Sequence, residues 1–248
     1  MKAFRLTLRL LLIQVLWNYR TLVGAGLAWV LLPSLKHTET GDPERLEREI
    51  RETAGIFNAH PYLCGFAAGA LIRMREDGSP KEERTRFREA IRGPLGSLGD
   101  RLFWAAWLPA SVLVLGVGGL MGLPPIAVVL GFLVLFNTLH LAVRYRGTRA
   151  GLELGRDVGD ALRTMQITVW QERVGAVGVI SVGVLLGFLA SRGFRLGEPW
   201  ELGAMLTTGG LALALFGAGI VVARIEWWVA AALTPGVALL LVLLGAVH

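Results

Sequence analysis

Five polar side chains stand among glycines, prolines and apolar residues, and their spacing bounds the chemistry open to this chain. Asp100 lies in the string Gly93-Pro94-Leu95-Gly96-Ser97-Leu98-Gly99-Asp100-Arg101-Leu102-Phe103-Trp104, directly before a long apolar run. A carboxylate accepts several hydrogen bonds in a fixed pattern. An acid at the lip of a membrane-spanning segment is costly enough that its default reading is functional. Aspartate is also a preferred helix N-cap, so capping stands as the competing role for the same residue. The glycines around it permit tight turns or the close approach of another chain. Asn58 and His60 lie upstream in Phe57-Asn58-Ala59-His60-Pro61-Tyr62-Leu63-Cys64-Gly65-Phe66. Broken helices with exposed backbone line internal cavities in membrane proteins, which gives these two a pathway or gating role. An Asx-type turn ahead of the half-helix is the alternative. Asn137 and His140 are three residues apart in an apolar segment, hence on one helical face. Polar residues so placed face a partner or a cavity.

Other chemistries find less support. His37, His60, His140 and His248 are scattered without metal-ligand spacing, so no metal is expected. No cofactor is expected either. Cys64 reads as a packing residue, with nothing basic beside it in sequence to make a thiolate. Ser97 and His140 invite a third reading, an intramembrane serine hydrolase, which needs the two within hydrogen-bond reach. The G-x-S-x-G elbow is absent, the local string being Leu95-Gly96-Ser97-Leu98-Gly99. No Walker A string is present.

The elements that position these residues belong to an integral membrane protein. Of 248 residues, 54% are hydrophobic and 32 more are glycine, and the mean hydropathy is +0.56, well above ordinary soluble domains. The net charge of +6 is mostly arginine. It reads as loops facing anionic lipid on the cytoplasmic side, and without basic-aromatic interleaving no nucleic acid is expected. One cysteine excludes an intrachain disulfide framework. The Leu-rich start is interrupted by Arg9, Asn18 and Arg20 and is read as retained, not cleaved.

Along the chain, residues 4–35 read as an amphipathic segment on the cytoplasmic side or a partly inserted helix. Asp42-Pro43-Glu44 opens a charged helix. The stretch 61–73 is too short to span and reads as a buried or re-entrant half-helix. Gly78-Ser79-Pro80 is a turn before the charged, helical 76–92 region. Spans are expected at 103–121, 124–143, 174–190, 203–223 and 227–247. The segment 144–173 carries six arginines and reads as a cytoplasmic loop. Counting outward from it places the charged 36–92 lobe inside. The expected fold is thus all-α: an amphipathic N-terminal helix, a cytoplasmic-side charged helical lobe with re-entrant half-helices, and about five spanning helices. The division is 1–102 for the lobe and half-helices and 103–248 for the transmembrane region. Trp17, Trp104 and Trp107 serve as interface anchors or as stacking surfaces.

The two strings at 57–66 and 93–104, in this order, resemble the IID component of the mannose-type (mannose/fructose/sorbose) sugar phosphotransferase system (PTS), with its F-N-T-H-P-Y-x-x-G-F and G-P-L-x-G-x-G-D-S-x-F-W lines. Gln14-Val15-Leu16-Trp17-Asn18-Tyr19, then Gly24, Gly26 and Leu31-Leu32-Pro33, continue the likeness. So do Asn137-Thr138-Leu139-His140-Leu141, Arg144, Gly147 and Gly151-Leu152-Glu153-Leu154-Gly155. Two positions depart from the pattern: Arg101 stands where the family has serine, and Leu108 where it has arginine before the following Pro109.

The resemblance implies a multi-pass subunit of the bacterial inner membrane that pairs with a IIC subunit as the translocator for a hexose. Phosphate comes from phosphoenolpyruvate through IIA and IIB phosphocarriers, and the chain itself is not an enzyme. Oligomers of the IIC–IID pair are implied, in contact with membrane lipid. Asp100, Asn58 and His60 become candidates for the sugar pathway, and Asn137 and His140 for packing against IIC or for sugar contact. Arg101 most readily meets a lipid phosphate or a IIC carboxylate. The altered Arg101 and Leu108 raise a second reading, a transport-incompetent homologue with a regulatory or scaffolding role.

Overall fold

The local signals at 42–53 and 78–81 act as read. Asp42 Oδ1 accepts from the Arg45 amide at 2.9 Å, with Pro43 in the first helical turn. Gly78, at φ +72°, closes the preceding helix. The computed structural model describes residues 2–195, so the spans expected at 203–223 and 227–247 lie outside the described residues. Within them the helices are α1 (Ala3–Leu11), α2 (Gly24–Thr38), α3 (Pro43–Thr53), α4 (Cys64–Glu76), α5 (Lys81–Gly99), α6 (Leu108–Leu120), α7 (Pro125–Leu154), α8 (Val158–Thr164) and α9 (Ile167–Arg195). A π-helical stretch, Asp100–Trp107, joins α5 to α6. Among the described residues the extended pairings are two isolated bridges, Asn18 with Leu22 and Leu22 with Phe57. The expectation of an all-α chain holds there.

Three expectations change. The 4–35 segment is not one amphipathic helix. In α1, Leu6 and Leu10 are buried while Phe4, Leu8 and Leu11 face outward, but α2 is a core helix with Leu27, Leu31 and Leu35 buried. Asn18 breaks them apart. Its Oδ1 accepts from the amides of Arg20 at 3.0 Å and Thr21 at 2.9 Å, and such local bonds compete with the helix. The region 144–173 is not a loop. Helix α7 has 30 residues, about 45 Å at 1.5 Å per residue, and so outruns a hydrocarbon core of about 30 Å. It stops only at Gly155, where φ is +56°. The glycines of 93–104 do not form a turn either, since the chain stays helical through Pro94. The helix widens to π just ahead of Pro109, whose missing N–H and crowding ring disfavour the regular α pattern.

The described chain forms two compact units, one of residues 1–101 and 137–167, the other of 102–136 and 168 onward. In the first, α4 is the central helix: Cys64, Phe66, Ala67, Ala68, Ala70 and Ile72 are fully buried. It meets α7 backbone to backbone. A Cβ at Gly65 would lie 2.8 Å from the Arg144 carbonyl oxygen, one at Gly69 2.6 Å from that of Thr148, and one at Gly151 2.5 Å from that of Phe66. Small residues four apart on both helices make this approach possible. With 13 residues, α4 is about 20 Å long and cannot span a bilayer.

In the second unit α6 and the first half of α7 form a hairpin about Gly122, at φ +107°. Val112, Val114, Ile126, Val129, Leu130 and Val134 are exposed, an apolar surface that calls for lipid or a partner. Among the described residues, two helical runs, Lys81–Leu120 and Pro125–Val182, contain stretches long and apolar enough to cross a membrane.

The crossing predicts that Gly151→Val destabilises the protein by about 3 kcal/mol through overpacking. Gly93→Ala, at a helical site with no atom within 4 Å of the added Cβ, is expected to be neutral or to stabilise by up to about 1 kcal/mol. Thermal melts in one detergent check both, and equal melting temperatures would refute the crossing.

Candidate functional site

The site begins with the joining of two sequence strings through the backbone. The Phe57 amide donates to the Thr21 carbonyl at 3.1 Å, and the Val23 amide donates to the Phe57 carbonyl at 3.3 Å. The connection 54–63 between α3 and α4 is then pinned by arginines of α5. Arg88 donates to the carbonyls of Thr53 at 3.1 Å and Gly55 at 2.6 Å, and Arg92 to that of Ile56 at 3.2 Å. Arg88 also covers the Phe57 ring, 5.1 Å from its centroid. Thus fastened, residues 58–60 lie on the small-residue face of α5. A Cβ at Gly96 would be 3.2 Å from the Asn58 carbonyl oxygen, and one at Gly99 would overlap Cβ and Cγ of His60. Asp100 is the next residue. Asn58 and Asp100 are exposed beside this contact, and His60 is buried in it.

A polar cluster extends inward from His60. Its Nδ1 accepts from the Tyr62 amide at 3.2 Å, and its ring meets Tyr62 edge-on at 4.8 Å. Tyr62 stacks on His140 at 4.5 Å. His140 Nε2 donates to Asn137 Oδ1 at 2.9 Å. One turn further along α7, Arg144 is 2% exposed. Its guanidinium sits 5.0 Å from the Tyr62 ring centroid and donates to the Leu10 carbonyl at the end of α1. Among the described residues this charge is met by a carbonyl and a ring face, not by a carboxylate. Asn137, His140, Arg144, Thr148 and Gly151 share one face of α7, so the glycine crossing sets their height against α4.

Burial, reinforced by the Arg144 charge, pushes His60 down to about 4, so it is neutral near pH 7. Burial pushes the Cys64 thiol up to about 12 despite the same arginine. Cys64 Sγ donates to the His60 carbonyl at 3.4 Å. It is a packing group, as its sequence setting suggested, although Arg144 comes close to it in the fold.

The structure brings His60, Asn137 and His140 into one cluster and leaves Asn58 and Asp100 at its exposed edge. Asp100 is not an N-cap, because its backbone is helical (φ −61°, ψ −44°) inside a continuous helix. Arg101 is exposed beside it, and Leu108 opens α6 in the second unit. Ser97 donates to the Pro94 carbonyl of its own helix at 3.3 Å. Sequence reasoning missed Tyr62 and Arg144 as site residues. Tyr62 lay inside a quoted string, and Arg144 is four residues after His140. That i, i+4 spacing was a usable signal, but the neighbouring arginines drew Arg144 into a supposed loop. The set supplies neutral imidazole, amide, phenol and carboxylate groups, which suit hydrogen bonding to a polar, uncharged ligand.

The profile of the PTS mannose/fructose/sorbose family IID component matches residues 1–194. The chain belongs to this family. It is 26% identical over 184 residues to the mannose-specific EIID component of Escherichia coli, a match covering 72% of this chain and 64% of that protein. With the sorbose-specific EIID component of Lacticaseibacillus casei the identity is 23% over 180 residues, covering 70% and 62%. The match therefore spans less than two thirds of these relatives' length. The fold is similar to that of a solved membrane protein (TM-score 0.65, 22% identity, 74% of this chain and 68% of that one). It is also similar to a chain of the mannose transporter ManYZ in complex with a microcin (TM-score 0.57, 23% identity, 75% and 69%). Members of this IID family are membrane components of sugar phosphotransferase systems.

The His60 shift has a defined sign. Between the ordinary histidine value of 6.5 and about 4, the unfolded state binds the proton and the folded state does not. Stability is therefore complete above pH 6.5 and falls as pH drops through this window. Chemical-denaturation curves from pH 7 to 4 should show a steeper loss in the parent protein than in His60→Gln. Parallel curves would show that His60 titrates normally.

Proposed function

We propose that this chain is the IID subunit of a mannose-type PTS permease, forming with a IIC subunit the translocator for hexose uptake coupled to phosphoenolpyruvate-dependent phosphorylation. One observation carries the reading. The family strings at 14–19, 57–66 and 137–141, with the Gly93–Arg101 part of the string at 93–104, fall in one compact unit although they are far apart in the sequence. There they surround a buried polar cluster edged by exposed Asn58 and Asp100. In this reading Asp100 and Asn58 accept and donate to sugar hydroxyls, since charged acceptors make the stronger bonds. His60, Asn137 and His140 line or support the pathway.

The protein sits in the bacterial inner membrane as a multi-pass subunit of about five spans. The short α4 is a re-entrant element. The charged 36–92 lobe and the end of α7 face the cytoplasm, where IIA and IIB carry the phosphate. IIC–IID pairs assemble into larger oligomers, and this chain holds no phosphorylation site.

The test is phosphoenolpyruvate-dependent uptake of labelled mannose, glucose and related hexoses in cells expressing IIA, IIB and IIC. These cells carry this chain, its Asp100→Asn variant, or neither. Uptake should require the chain and fall about ten-fold with Asp100→Asn, the loss of one charge-assisted hydrogen bond. A stable complex with IIC that takes up no hexose would refute transport. It would make the regulatory reading suggested by exposed Arg101 the better one.

A further inference from the structure

Away from the polar cluster, the charged lobe encloses a cavity of about 620 Å³ between the ends of α2 and α4 and the starts of α3 and α5. Ligand pockets commonly have about 300–1,000 Å³. Five cationic side chains and two carboxylates line it, an excess of three positive charges. The cations fall into two sets. Arg75 and Arg84 are only 8% and 13% exposed and are fixed by Glu49, at 2.6 and 3.5 Å. Arg45, Arg48 and Lys81 have side chains 60%, 60% and 48% exposed.

The carboxylates are part of the construction. Glu39 is held by Arg45 at 2.7 Å and faces Arg75 at 3.8 Å. Burial alone would raise the Glu49 carboxyl. The hydrogen bond from Arg75, with the charges of Arg75, Arg84 and Lys81, outweighs it and holds the group below its ordinary range. Glu49 is thus anionic, and the oxygens of Glu39 and Glu49 retain acceptor capacity beyond their ion pairs.

We propose that this cavity binds a phosphorylated sugar. The phosphoryl group lies on the exposed cations Arg45, Arg48 and Lys81, and the hydroxyls on Glu39 and Glu49. Guanidinium and ammonium groups are the usual partners of phosphate oxygens. The two carboxylates fix the arginines around the cavity and keep spare acceptor capacity, so a ligand with both phosphate and hydroxyl groups uses both kinds of lining. The choice of a sugar phosphate rests on the transport reading above, in which such a compound forms on the same side of the membrane as this lobe.

The full chain is reconstituted in nanodiscs of neutral lipid and titrated calorimetrically with glucose 6-phosphate, inorganic phosphate and glucose. Saturable binding of glucose 6-phosphate is expected, with weaker binding of phosphate and none of glucose here. The double variant Arg48→Gln/Lys81→Gln breaks only exposed ion pairs, those with Glu44 and Glu52, of little weight for stability. It should keep the parent melting temperature and bind glucose 6-phosphate at least ten-fold more weakly. Nanodiscs containing phosphatidylglycerol separate the two sources of phosphate. Unchanged affinity supports the free sugar phosphate, and competition by the lipid assigns the cavity to a headgroup and overturns the proposal. Absence of saturable binding, equal binding by the double variant, or binding only to an acidic protein domain overturns it as well. Hexose uptake without this binding would fail the proposal and leave transport standing. Binding without uptake would do the reverse.

Discussion

The backbone contact between α4 and α7 is the constraint on which the first unit depends. Gly65 and Gly69 on one helix and Gly147 and Gly151 on the other leave no room for a Cβ, so the two axes can adopt only this separation. A buried helix of this kind gains little from amphipathic patterning, because nearly every residue of α4 is inside. Its position is set by where the small residues allow contact. Once the crossing is fixed, Tyr62 just before α4 faces His140, one helical turn ahead of Arg144 on α7. The stacked and edge-on rings that link His60 to Asn137 follow from that register.

Arg144 is the electrostatic cost of the arrangement. Burying an unpaired guanidinium costs several kcal/mol unless hydrogen bonds and polarizable neighbours compensate. Here the Leu10 carbonyl and the Tyr62 ring do so. The carbonyl comes from the end of α1, so the same charge anchors the N-terminal helix to the center of the unit. It also adds to the burial that keeps His60 neutral, since a second positive charge close by would be unfavourable. One residue therefore couples the position of α1, the protonation of the histidine and the packing of the tyrosine. That coupling explains why the polar cluster is buried without being a row of ion pairs.

Much of this was legible in the sequence, and the failures have physical causes. Asp42-Pro43 marked a helix start because cap chemistry is local. The apolar and small-residue content marked α4 as a short buried helix, and the shared face of Asn137 and His140 followed from spacing. The break at Asn18 was missed because it depends on side-chain bonds to backbone that hydropathy does not register. The continuation of α7 past Val143 was missed because arginine was read as a marker of solvent. Arg144 is buried and Arg146 is exposed only two residues away. Charge alone does not distinguish the two faces of a helix. Glycine was read at Asp100 as both turn and close contact, and only the contact occurs.

The charged lobe and the polar cluster share α5, and its two halves work by different means. The first half holds its neighbours through long cationic side chains. Arg84 reaches Glu49 and the Ser79 carbonyl, and Arg88 and Arg92 reach the carbonyls of 53–56. The second half holds them by having almost no side chains, at Gly96 and Gly99. Long side chains tolerate small displacements, because their ends can follow a moving carbonyl, whereas a glycine contact tolerates none. The helix is therefore adaptable where it meets the lobe and rigid where it meets His60. It widens to a π-helix at Asp100, one residue past the rigid contact. A π turn is less stable than an α turn and persists where function or a following proline requires it. Here Pro109 supplies the proline, and the widened stretch begins at the one exposed carboxylate in the site.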